Sequence, residues 1–257
     1  MKIRVLTAAD LHCSPRLFAD LAYAVAKFRP DVTALVGDFL DGNDPDEFCW
    51  TRYKPKQAAA KLAELDTKLV YVMGNHDVGC WNAFHEAWVN AGRQAIVPNA
   101  SAVSFGPLVI VGFPCLVGWH ENLDGVTNPF ARDYESWLPD LLERHQAAAR
   151  GLWLMHEPPH PQLCEEWAFS APWREAIERY QPAIAVSGHD HRTPRLTGIW
   201  NAKLGNSVCI NAGQRLKPFP GPLSHCILDF EFDSSEPSLP RSVKFERYET
   251  ADPTPPF

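Results

Sequence analysis

Five places along the chain combine carboxylate, imidazole or amide side chains, four of them beside glycine or a second ligand type. They are Asp10-Leu11-His12, Gly37-Asp38, Gly74-Asn75-His76-Asp77, His156 and Gly188-His189-Asp190-His191. Singly, each reads as a turn or a hydrogen-bonded histidine, because Gly and Asn dominate turns for backbone reasons. Together they offer two carboxylates (Asp10, Asp38), one amide (Asn75) and four imidazoles (His12, His156, His189, His191), with His76 to spare. A single catalytic zinc takes about three protein ligands, so this set exceeds one ion and suits two. Nitrogen and oxygen donors without thiolate fit manganese, iron or zinc. Two divalent ions against Asp10 and Asp38 leave a locally cationic pocket, and a pair about 3.5–4 Å apart can clamp the attacking and leaving oxygens of a phosphoryl displacement.

Each block follows an apolar run: Lys2 to Ala8, Val32 to Val36, Lys68 to Met73, Leu152 to Met155 and Ala183 to Val186. In open α/β sheets, the carboxyl ends of strands are where ligands bind. Pro15 opens a helix carrying Leu17, Leu21, Val25 and Phe28, and a second helix is expected from Pro55 to Leu65. The resulting β-α-β-α-β series calls for parallel strands with covering helices. Further helices are expected near Trp81 to Ala91, where Trp81, Phe84 and Trp88 make a core stripe, from Asp133 to Ala149, and after Pro172. Strands are expected at Ile96-Val97, Ala102 to Phe105, Leu108 to Phe113, Leu196 to Trp200, Ser207 to Ile210, Ser224 to Phe232 and Ser242 to Tyr248. Both halves place polar residues at strand ends. This predicts two sheets facing one another across one core, a single domain over residues 1–250 and a proline-bearing tail at 251–257.

Composition narrows the function classes. An apolar content of 46% supplies a sizeable core, and no apolar run approaches the roughly 20 residues of a membrane span. The chain enters a strand-like run at its first residues, with no signal-peptide pattern, so a cytoplasmic location is expected. Seven scattered cysteines without a Cys-x-x-Cys pair argue against a disulfide framework or a zinc knuckle. Cys13 and Cys80 lie beside site loops and read as small apolar filler. A net charge of −7 disfavours duplex nucleic acid as a partner. The sequence is silent on oligomeric state.

In order and context, the five blocks from Asp10 to His191 resemble the calcineurin-like metallophosphoesterase superfamily. The resemblance implies a four-layer α/β/β/α sandwich of two mixed sheets flanked by helices. It implies two divalent or trivalent transition-metal ions, manganese or iron foremost and zinc as an alternative. Asp10, His12 and His191 would hold one ion, Asn75, His156 and His189 the other, and Asp38 both. It further implies hydrolysis of a small phosphoester, mono- or diester, by a metal-bridging hydroxide. His76 would assist the leaving group and Asp77 would orient His76. The rival readings are a nuclease and a catalytically silent scaffold of the same fold. The scaffold is disfavoured because every ligand position is filled.

Several neighbours of these blocks have less definite expectations. Asp41 is either a partner to a site residue or a turn former. Asp190 either alters the charge of the pocket or bonds a supporting group. His160 is set aside because prolines interrupt the helical spacing that would align it with His156. His120 is the best outside candidate ligand. Asn211-Ala212-Gly213 resembles a structural turn, Arg215 reads as a solvated cation that could also touch phosphate, and Trp50, Trp119, Trp167 and Phe169 read as packing residues that could also wall a substrate.

Overall fold

The continuous apolar runs become strands buried on both faces, as parallel strands covered on two sides require. A computed structural model describes residues 1–41, 52–93, 99–113, 115, 134–217, 220–233 and 239–251. The elements are β1 (Lys2–Ala8), α1 (Pro15–Phe28), β2 (Val32–Val36), α2 (Pro55–Ala63), β3 (Lys68–Val72) and α3 (Trp81–Asn90). They continue with β4 (Ser101–Phe105), β5 (Leu108–Gly112), α4 (Leu138–Arg144), β6 (Leu152–Leu154), α5 (Ala171–Tyr180) and β7 (Ile184–Ser187). The last are α6 (Thr193–Thr197), β8 (Asn201–Leu204), β9 (Ser207–Asn211), β10 (Leu223–Phe232) and β11 (Pro240–Thr250).

Two mixed sheets result, with strand orders β11-β10-β1-β2-β3 and β4-β5-β6-β7-β9-β8. In the first, β1, β2 and β3 run parallel and β10 pairs antiparallel with β1. In the second, β5, β6, β7 and β9 run parallel between antiparallel edge strands. Val5, Ala34, Val36, Val70 and Val72 of one sheet pack against Ile110, Leu154, Val186 and Ile210 of the other. The outer face of the first sheet buries Leu6, Leu35 and Tyr71 under α1, α2 and α3. That of the second buries Val111, Trp153 and Ala185 under α4 and α5. The expected α/β/β/α sandwich is thus present.

Local signals fix the helices. Ser14 caps α1 by accepting from the Leu17 amide at 3.4 Å, Pro15 holds the first turn, and Arg29 closes it in the left-handed region at φ 48°. Ser170 and Pro172 start α5 in the same way. Two expectations fail. Residues 133–149 are not one helix: α4 ends at His145, where ψ is 72°, and short 3-10 turns at Tyr134–Ser136 and Gln146–Arg150 flank it. Leu196 to Trp200 is not a strand, because Pro194 in the first turn and Gly198 at the left-handed end make Thr193–Thr197 helical. The strand of that region is β8, whose burial is too incomplete to give an apolar run. The expected strand at Ile96-Val97, the tail beyond 251, and His120, Trp50 and Trp119 lie outside the described residues.

The cysteine reading agrees with the structure: Cys13, Cys164, Cys209 and Cys226 are buried and form no disulfide. Burial pushes the Cys13 thiol up to about 12, so it is neutral filler at physiological pH.

His225 in β10 is fully buried between Phe28 and Tyr248, and its Nε2 has no partner. Burial lowers its pKa to about 4, against an ordinary value of 6.5. A neutral imidazole is therefore stable in the fold above the unfolded-state value. The unfolded chain takes up the proton first as pH falls from about 6.5 to 4, so stability declines across that window. His225→Phe should remove up to about 3 kcal/mol of this acid sensitivity, read as a flatter pH dependence of the urea midpoint. An unchanged slope would refute it.

Candidate metal centre

The parallel strands of both sheets deliver their carboxyl ends to one edge. Asp10 and His12 follow β1, Asp38 and Asp41 follow β2, and Asn75 to Asp77 follow β3. His156 follows β6, His189 and His191 follow β7, and Arg215 follows β9. An extended segment would put Asp10 and His12 on one side by alternation, but the segment here is not extended. Asp10, His12, Asp38 and His189 all have positive φ, at 56°, 43°, 51° and 66°. Non-glycine residues in that region cost free energy and cluster at functional sites. Here the left-handed bends turn the side chains inward.

Neighbouring glycines allow the close approach. A β-carbon on Gly37 would fall 2.1 Å from His156 Nδ1, and one on Gly74 would fall 2.1 Å from Asp38 Oδ1.

Two ligand groups form. Asp10, His12 and His191 bring donor atoms within 4.8 Å of one another, and so do Asp38, His156 and His189. Asp38 Oδ2 lies 3.1 Å from His156 Nε2 and 3.9 Å from His12 Nε2, so it stands between the groups. Asn75 Oδ1 lies 3.0 Å from His156 Nε2. His156 Nδ1 donates to the Val36 carbonyl at 3.2 Å, which fixes the ring and turns Nε2 toward two oxygens. A neutral imidazole in that tautomer presents a lone pair to a carboxylate, an arrangement that calls for a positive charge. Burial pulls the His156 pKa down, but Asp38 outweighs it and raises the value to about 10, so a proton can supply that charge.

The other group makes the same demand. His12 Nε2 and His191 Nε2 face one another at 3.4 Å, with Asp10 Oδ1 3.4 Å from His191 Nε2. The buried atoms Asp10 Oδ2 and His189 Nε2 have no hydrogen-bond partner. Buried polar atoms are rarely left so without reason. Nitrogen and oxygen donors converging around unsatisfied acceptors fit metal ions. Burial lowers His12 well below its ordinary value, keeping it neutral as a ligand must be.

Asp77 does not orient His76. Its carboxylate accepts from the amides of Asp38 (2.9 Å), Gly74 (2.8 Å) and Leu40 (2.8 Å). The carboxylate beside His76 is Asp41, whose Oδ1 lies 3.3 Å from His76 Nδ1, with Arg52 also on Asp41. Asp41 Oδ2 lies 4.0 Å from His12 Nδ1, which makes a third acid–histidine group. Adjacency to His76 in the chain favours Asp77 over Asp41 when only the sequence is read. The acidic residue three places after Asp38 is the signal for the true neighbour.

Asp190 is a clamp: it accepts from the amides of Glu165, Arg192 and Thr193 and from the Thr193 hydroxyl, so the loop carrying His189 and His191 is fixed. Asn211 reinforces it through the Asp190 and Leu163 carbonyls. His160 accepts from the Gln162 amide. Trp167 is 59% exposed with its ring 5.0 Å from that of His189, so it lines the cleft instead of packing.

Fold and site together define an α/β protein whose strand ends assemble metal-ligand groups. The family model for calcineurin-like phosphoesterases matches residues 3–193, and the chain belongs to that family. No curated protein matches the chain. Among solved structures, TT1561 of Thermus thermophilus superposes with a TM-score of 0.66 at 15% identity, covering 97% of this chain and 99% of that one. The calcineurin-like phosphoesterase YfkN from Bacillus subtilis gives 0.63 at 15% identity over 97% and 90%. A dimetal phosphatase from Danio rerio gives 0.61 at 13% identity over 88% and 92%. At these identities the likeness is one of fold. Family membership and the ligand groups support phosphoester hydrolysis and divalent-metal use in general terms. No helix among the described residues is long and apolar enough to cross a membrane.

Proposed function

We propose that this chain is a dimetal-dependent phosphoester hydrolase. One observation carries the reading: Asp38 Oδ2 stands 3.1 Å from His156 Nε2 of one ligand group and 3.9 Å from His12 Nε2 of the other, with Asn75 Oδ1 3.0 Å from the same His156 nitrogen. Asp10, His12 and His191 would hold one ion, Asn75, His156 and His189 the other, with Asp38 shared. Such ions supply Lewis-acid charge and an acidified water. The rest falls to the chain. Val36 and Asn75 set the His156 ring. Asp77 fixes the loop bearing Asp38 by its backbone. His76, partly exposed on the cleft, is oriented through Nδ1 by Asp41 and would act with a second proton on Nε2, given up to the leaving oxygen. The Danio rerio neighbour is itself described as a dimetal phosphatase, which accords with two ions here.

Manganese or iron suits this mixed donor set. The same reading takes residues 1–250 as one domain, supported by β10 lying between β1 and β11, and takes the cytoplasm as the location, supported by buried cysteines without disulfides.

The test is metal analysis with thermal melting. Chelator-treated protein given manganese should bind two equivalents, and saturation at 100 times Kd should stabilise it by about 2.7 kcal/mol for each independent site. It should then hydrolyse generic phosphoesters. Failure to bind any transition metal would overturn the proposal. Two bound ions with no hydrolysis of any mono- or diester would favour a silent scaffold.

A further inference from the structure

The cleft at the candidate metal centre, about 560 Å³, is lined by Asp38, Asn75, His76, His189 and His191 together with Arg195, Arg215 and Lys217. A second cavity of about 450 Å³ adjoins it and shares His191, Arg195 and Arg215. The two arginines therefore line both the cleft of the proposed reacting phosphate and a neighbouring cavity whose lining includes Trp200, Tyr248 and one carboxylate, Glu249. Asp38 is the one carboxylate lining the first cleft among the described residues, and it is committed to the ligand groups.

This concentration of positive charge contrasts with the rest of the molecule, whose net charge is −7. Arg4 pairs with Asp229, Arg174 with Glu178 and Arg179 with Glu135, and Arg192 beside the cleft reaches Glu165 at 3.4 Å. Arg195 and Arg215 have no carboxylate within 4 Å among the described residues.

Both are carried on hydrogen-bonded backbone. Arg195 lies in α6, whose first residues are clamped by Asp190 between the two ligand histidines. The Arg215 carbonyl accepts from the Gly221 amide at 2.9 Å, and a β-carbon on Gly221 would meet Arg215 Cδ at 3.2 Å, so the stem of the side chain is packed.

We infer that Arg195 and Arg215 form a second oxyanion subsite, so that the substrate is a phosphoester carrying another anionic group, phosphate or carboxylate, beyond the scissile bond. The inference rests on the hydrolase reading for the placement of the reacting phosphate. Guanidinium groups fork onto phosphate and carboxylate oxygens, which makes arginine the suitable residue for either. The adjoining cavity gives the remainder of such a molecule space next to Trp200.

The experiment is calorimetric titration of manganese-loaded protein with non-hydrolysable probes. Alkylphosphonates are compared with α,ω-alkylenediphosphonates and ω-phosphonocarboxylates of matched and increasing spacer length. The wild type should bind the two-anion probes at the best spacer at least about tenfold more tightly than the matched monoanion probe. Arg195→Gln/Arg215→Gln should weaken two-anion binding at least about tenfold more than it weakens alkylphosphonate binding, which removes the excess. A larger gain for diphosphonates identifies a second phosphate, and one for phosphonocarboxylates a carboxylate. Equal binding of one- and two-anion probes overturns the inference, as does an excess that survives the double substitution, which would mean that metal alone holds the second anion. The hydrolase reading fails separately, through absent metal or absent turnover of p-nitrophenyl phosphate.

Discussion

Asp38→Asn should abolish activity and empty the site of at least one ion. Asp38 is 1% exposed, with Oδ2 between His156 Nε2 and His12 Nε2 and Oδ1 accepting from the His76 amide at 2.8 Å. Burial works against its charge, but the neighbouring imidazoles of His156, His12 and His76 hold its carboxyl well below the ordinary carboxylate range. An asparagine keeps an oxygen for the His76 amide but removes the charge between the ligand groups. Losing several kcal/mol of charge stabilisation lowers turnover by about 10³-fold or more. The checks are kcat on a generic phosphoester and metal stoichiometry, with far-ultraviolet circular dichroism for the fold. Two retained ions and turnover within tenfold of the wild type would remove Asp38 from its proposed place.

His76→Ala is expected to keep both ions and lose about 10²–10⁴-fold in turnover of an alkyl phosphoester. The side chain of His76 belongs to the third acid–histidine group, with Asp41, and its ring centroid lies 4.7 Å from that of His12. Its proton matters most when the leaving oxygen is a strong base. A p-nitrophenyl ester, with a stable leaving group, should therefore lose much less. Equal losses on both esters would point to a positioning role. No loss on the alkyl ester would exclude proton transfer by this residue.

The strand ends are legible in the sequence because parallel strands buried on two sides leave apolar runs with abrupt polar stops. Asp10, Asp38, Asn75, His156, His189 and His191 can be placed at one edge for that reason. The backbone of those loops is not legible. The left-handed φ of Asp10, His12 and His189 comes from packing between loops remote in sequence, such as the His189 amide donating to Asp10 Oδ1 at 3.1 Å. The partnership of His76 with Asp41 over Asp77 is hidden for the same reason, since adjacency in the chain says little about which carboxylate a side chain faces. Pro194 and Gly198 carry the signal for α6, and the apolar residues Leu196 and Ile199 mask it. Both are exposed, at 63% and 41%, so they are no part of a buried strand.

Asp77 has a further consequence. Its one carboxylate joins amides from the loops after β2 and β3, and so acts as a rivet through two crossover segments. Neither segment can swing outward alone without stranding buried donors, each worth about 1–3 kcal/mol. The cradle's curvature on that side is set by the bonds of the Asp77 carboxylate to backbone amides, independent of any cation. On the proposed reading, exchange of one metal for another would be a matter of solvent access along the partly exposed His191 side, without refolding of the chain.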